Sequence, residues 1–145
     1  MRVIVTGDRA WECRELAEDV VRRLLAKYGQ GLVVVHGAVG GVDAAFAEAA
    51  EALDITVEAH RAEWARLGKR AGLSRNQRMV DAGADICLAV HRFIANSQGT
   101  KDCARRAIAA GIPTYLIDGS DSRPKRLLAD DRRLTRDLEP LLPLG

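Results

Sequence analysis

The chain has 145 residues and a formal net charge of +2, long enough for one domain with a real core and too evenly charged for a dedicated duplex-DNA binder. Aromatic residues make up 4% of it, too few for the stacking platforms of a single-strand binder.

In chain order, Arg2-Val3-Ile4-Val5-Thr6 is a β-branched run closed by Gly7, which predicts a buried strand. Between Trp11 and Tyr28, Leu16, Val20, Val21, Leu24 and Leu25 recur at helical spacing, and Gly29 and Gly31 stop the helix. Leu32 to Val35 reads as a second strand, Asp43 to Leu53 as an Ala- and Glu-rich helix, and Ile55 to Ala59 as a third strand. Arg61 to Gly72 is basic and irregular; Ser74 is placed to cap a helix that runs through Met79 to about Asp81. Asp85 to Val90 is a fourth strand, Thr100 to Ala110 a helix stopped by Gly111, and Pro113 to Ile117 a fifth strand with Pro where its missing N–H does least harm.

This alternation predicts a single Rossmann-like, three-layer α/β domain over residues 1–117, a mostly parallel sheet of about five strands with helices on both faces. The rest, 118–145, is charged to Arg133 and carries little apolar periodicity, so it reads as an exposed tail, with Leu134 to Leu142 as a last short helix. Cys13, Cys87 and Cys103 are odd in number, lie far apart and form no C-x-x-C pair. Neither a zinc site nor a disulfide framework is expected, and no cofactor. The sequence opens directly on a strand and contains no apolar run of membrane-spanning length, so a cytoplasmic protein without membrane contact is expected.

Four Gly-bearing segments fall where predicted strands end: Thr6-Gly7-Asp8-Arg9, His36-Gly37-Ala38-Val39-Gly40-Gly41-Val42-Asp43, Gly72-Leu73-Ser74-Arg75-Asn76 and Asn96-Ser97-Gln98-Gly99-Thr100. Open α/β sheets bind ligands just beyond their strands' carboxyl ends, so these segments predict one phosphate-binding crevice. Gly7 lets the backbone approach a ligand, with Asp8 and Arg9 on the rim. The Gly37 to Gly41 amides, backed by a helix dipole, are placed to receive an anion. It is neither a P-loop nor a G-x-G-x-x-G fingerprint. Asp43 either holds a ribose hydroxyl or simply favours the helix terminus, and His36 suits a structural hydrogen bond better than catalysis. Arg75, just after Ser74, is placed to grip phosphate bidentately beside free amides, with Asn76 toward a base edge or sugar hydroxyl. Trp64 suits a base stack or the core equally. Ser97, Gly99 and Thr100 offer a second anion contact or a plain helix cap, and Asp102 is the nearest carboxylate.

Taken in order, Thr6-Gly7-Asp8-Arg9, His36-Gly37 with Gly40-Gly41-x-Asp43, Gly72-x-x-Arg75-Asn76-x-x-Met79 and Gly99-Thr100-x-Asp102 resemble the SLOG superfamily, and within it the small YspA/YpsA-type proteins. The resemblance implies a Rossmann-like fold, a nucleotide or nucleotide-derived ligand, and self-association as a homodimer. SLOG proteins also include the LOG-type phosphoribohydrolases, with an Arg-Lys-x-x-Met and a Gly-Gly-x-Gly-Thr-x-x-Glu segment. Here Asn76 replaces the Lys, Asn96-Ser97 the Gly pair, and Cys103 the catalytic Glu. Asp102 stands one residue early, a turn of roughly 100° on a helix. The leading expectation is therefore a nucleotide sensor or ligand-binding module. The alternative is a nucleoside-monophosphate phosphoribohydrolase using Asp102 or Asp43. Single-stranded DNA binding in the manner of DprA rests on fold analogy alone and is opposed by the composition.

Overall fold

The computed structural model describes residues 1–135. Strands β1 (Arg2–Gly7), β2 (Val33–His36), β3 (Thr56–Ala59), β4 (Ile86–Val90), β5 (Thr114–Ile117) and β6 (Lys125–Leu127) form one sheet in the order β3-β2-β1-β4-β5-β6. Every pairing is parallel except β5 with β6. The helices are α1 (Arg14–Tyr28), α2 (Val42–Ala52), α3 (Trp64–Leu67), α4 (Ala71–Asp81), α5 (Gly99–Ala109) and α6 (Arg132–Thr135).

The central strands carry apolar runs, Val3-Ile4-Val5 in β1 and Ile86 to Val90 in β4, because both faces of the sheet are covered. Side chains alternate across the pleat. Val3 and Val5 pack with Ala17, Val20 and Val21 of α1 and Phe46, Ala49 and Ala50 of α2. Ile4 points the other way, to Met79 and Val80 of α4 and Cys103 and Ala107 of α5. The chain winds outward from β1 through β2 to β3, then crosses to β4 on the other side of β1. The reversal splits the loops after β1 and β4 apart at the sheet's carboxyl edge and opens a crevice between them.

Three local expectations are corrected. The helix expected from Ser74 begins at Ala71, preceded by α3 and a 3₁₀ turn at Gly68–Arg70. Ser74 is inside it and caps nothing. The first helix starts at Arg14, not Trp11. Part of the stretch read as an exposed charged tail belongs to the fold: Lys125–Leu127 adds an antiparallel edge strand to β5. Leu127 and Leu134, each 1% exposed, pack with Ala89, Ile94, Ala104 and Leu116. An edge strand with one inward side chain needs little apolar sequence, which is why composition hid it. Of the helix expected over Leu134 to Leu142, Leu134 lies in α6; the part beyond residue 135 lies outside the described residues. Among the described residues no helix is long and apolar enough to cross a membrane.

Candidate functional site

The carboxyl ends of β1 and β4, the loop from β2 to α2, α4 and the start of α5 enclose a cavity of about 240 Å³. Gly7, Asp8, Arg9, Gly37, Asp43, Arg75, Asn76, Ser97, Gly99 and Thr100 line it. Thr6, Val39, Met79, His91 and Gln98 join them. His36, Gly40, Gly41 and Asp102 are not part of its lining.

Asp43, in the first turn of α2, is 2% exposed. Its Oδ2 accepts the Gly37 amide at 3.0 Å and the Val39 amide at 3.5 Å, fixing the β2–α2 loop. Its Oδ1 is buried without a hydrogen-bond partner. Burial pushes the carboxyl up to about 6, against the pull of the two amides and of Arg75. A buried carboxylate oxygen with nothing to accept is costly unless a ligand or water donates to it.

Arg75 is 6% exposed. Its Nη1 donates to the Gly37 carbonyl and its Nε to Asn76 Oδ1 at 2.9 Å. Burial works against its charge, and the nearby Asp43 supports it. Among the described residues its Nη2 has no hydrogen-bond partner. Because α4 begins at Ala71, Arg75 lies inside the helix, a turn past its start, rather than just after a cap at Ser74. Asn76 is likewise committed, donating from Nδ2 to the Gly99 carbonyl at 3.2 Å and Asp102 Oδ2 at 3.0 Å. It ties α4 to α5 rather than reaching out to a base edge.

Gly40 and Gly41, expected to cradle an anion, set the path of the β2–α2 loop. Gly40 and Gly41 have φ of +82° and +51°, where a Cβ is strained. A Cβ on Gly41 would overlap the Asp8 carbonyl and the Arg9 backbone. The glycines let this loop dock on the loop after β1, and the Val42 amide then donates to the Asp8 carbonyl at 3.0 Å. Gly7 serves the same contact, since a Cβ there would stand 2.5 Å from Val42 Cγ1 and from the Val90 carbonyl oxygen.

His36 accepts the Ala38 amide on Nδ1 at 2.9 Å, the structural role expected of it, and burial lowers its proton affinity. Ser97 Oγ accepts the Thr100 amide at 3.0 Å and so caps α5. Among the described residues the amides of Gln98 and Gly99, at this helix start, have no hydrogen-bond partner. They form the positive end of the α5 dipole and line the crevice. Asp102 pairs with Arg106 at 2.8 Å and sits 23% exposed in an adjoining cleft. Cys103, where the resemblance places a catalytic Glu, is fully buried in the core.

His91 was missed by sequence reasoning. It directly follows β4, its Nδ1 accepts the Phe93 amide at 2.9 Å, and the ring proton is thereby left on Nε2. Its position just past a strand end was a usable signal, but no glycine marks it. Among the described residues no three His, Cys, Asp or Glu gather to hold a metal ion.

A family model described as the YspA, cpYpsA-related SLOG family matches residues 1–67. The Gene 61 protein of Mycobacterium phage D29 is 44% identical over 117 residues, covering 77% of this chain and 92% of that protein. The X-ray structure of TM1055 shares the fold with a TM-score of 0.63 at 20% identity, over 82% of this chain and 75% of that one. With the Rossmann-like sheet, the crevice at its strand reversal and these matches together, the chain belongs to the YspA-related branch of the SLOG family.

Proposed function

We propose that the protein binds a nucleotide or nucleotide-derived ligand without cleaving it, as a sensor or ligand-binding module. One observation carries the reading: Arg75 and Asp43, whose buried Oδ1 has no hydrogen-bond partner, line the same cavity. Phosphate sits against Arg75 and the Gln98 and Gly99 amides, where charge-assisted bonds and the α5 dipole favour it. A ribose hydroxyl donates to Asp43 Oδ1, giving that oxygen the partner it lacks. Arg9 and His91 border the remaining space. The assay is calorimetry with AMP and its 2′,3′-dideoxy analogue. AMP binds and the dideoxy compound binds at least tenfold more weakly. No AMP binding at millimolar concentration, with the fold intact, removes the reading.

A second reading, N-glycoside hydrolysis of a nucleoside monophosphate, is favoured by one feature, the Asp43 carboxyl held near neutrality at about 6. Such a group suits proton transfer or stabilisation of an oxocarbenium-like centre. Asp43 takes that role, because Asp102 is spent on Arg106 and Asn76. Free adenine released from AMP, and lost in Asp43→Asn, decides for it. We also propose self-association as a homodimer, checked by light scattering.

A further inference from the structure

The cavity is not closed. Past Arg9, Arg75 and Gly99 it opens into a second cleft of about 610 Å³, walled by Trp64, Lys69, Gly72 and Arg105. At about 240 Å³ the inner cavity falls below the roughly 300–1,000 Å³ that drug-sized ligands fill, whereas the outer cleft lies within that range. A phosphate and ribose held inside therefore leave the base to extend outward.

Three features of the outer cleft suit that extension. Trp64 is 53% exposed, an indole face left uncovered by the fold. Gly72 stands in α4, where glycine is a poor helix residue. A Cβ there would make only ordinary contacts, 3.5 Å to Trp64 Cη2 and 3.8 Å to Arg75 Nη2. The fold does not exclude a side chain at 72; glycine leaves a slot between the indole and the guanidinium. Finally, Arg9, Lys69 and Arg105 line the cleft with no ion-pair partner among the described residues. Its one lining carboxylate, Asp102, is already paired with Arg106. Cations gathered without counter-charge around a concave surface raise the local affinity for anions.

We infer that this cleft is an annex of the inner cavity that stacks the nucleotide's base on Trp64 and holds a further phosphate on Lys69 and Arg105. The ligand class is then a nucleotide with two or more phosphates rather than a monophosphate. The inference rests on the reading of the inner cavity given above.

The test compares calorimetric affinities for ribose 5-phosphate, AMP and ADP. In the wild type the three bind with rising affinity. Trp64→Ala removes the gain of AMP over ribose 5-phosphate, a loss of about 5- to 150-fold on the usual scale of base–aromatic stacking, and Trp64→Phe restores most of it. Lys69→Gln with Arg105→Gln removes the gain of ADP over AMP and flattens the salt dependence of ADP binding. Trp64 and both cations are exposed, so these variants fold. If ribose 5-phosphate and AMP bind but neither set of substitutions changes any affinity, the annex is refuted and the inner site stands. If none of the three probes binds the folded wild type, both fall together.

Discussion

Asp43→Asn separates what the buried carboxylate costs the fold from what it offers a ligand. Asn is isosteric, and its oxygen can accept the Gly37 and Val39 amides that Oδ2 accepts now. What disappears is a buried negative charge whose second oxygen has no partner. Burial raises this carboxyl from an ordinary 3.8 to about 6. At about 1.4 kcal/mol per tenfold change in proton affinity, the charged form opposes folding by about 3 kcal/mol above pH 6. The sign is opposite to that of a salt-bridged aspartate. Here the folded state holds its proton more tightly than the unfolded one, so stability is lost as pH rises from about 4 to 6. Neutral Asn avoids that loss but leaves its buried Nδ2 donors unpaired, at a cost of roughly 1–3 kcal/mol, so the ligand-free variant melts no lower than the wild type at pH 7.5 and at most about 6–12 °C higher. At pH 5 the charge term shrinks to about half, because the wild-type carboxyl is then largely protonated when folded, and the variant fares correspondingly worse against the wild type. Paired thermal melts at the two pH values measure this. AMP added at pH 7.5 stabilises the wild type and loses most of that effect on the variant. A variant that melts lower than the wild type at pH 7.5, or whose gain is equal at both pH values, would falsify the account of Asp43 as a charge buried for a ligand's benefit.

Two further substitutions probe the frame around the site. Gly41→Ala places a Cβ into the Asp8 carbonyl and the Arg9 backbone at a φ of +51°. Both strain and overlap oppose it, so a loss of about 3 kcal/mol or more is expected, read as a lowered urea midpoint; a midpoint equal to wild type would contradict the docking role given to this glycine. Leu127→Ala truncates a side chain that is 1% exposed on the antiparallel edge strand, and a loss of about 2–5 kcal/mol follows from the cavity left behind. A variant as stable as the wild type would show that Leu127 on the edge strand contributes nothing to the core.

The strands, the order of elements and the crevice at their carboxyl ends were legible because each rests on local, short-period information. Val3-Ile4-Val5 reads as a strand from its β-branched side chains alone, and Gly7 and Gly37 mark strand ends because the chain must turn sharply there. Arg75 and Asp43 stood out for the same reason, as charged residues close to such turns. The partners of those residues were not legible. That Gly41 touches the Asp8 carbonyl, that Asn76 is spent between Arg75, Gly99 and Asp102, and that Asp102 turns to Arg106 are contacts between segments distant in sequence or between side chains one helical turn apart. Hydrogen-bond capacity is finite, so a polar residue's availability to a ligand depends on what the packed neighbours have already claimed. Local pattern settled which residues would stand at the sheet's edge; long-range packing settled which of them, Asp43 Oδ1 and Arg75 Nη2 above all, still had a bond left to give or receive among the described residues.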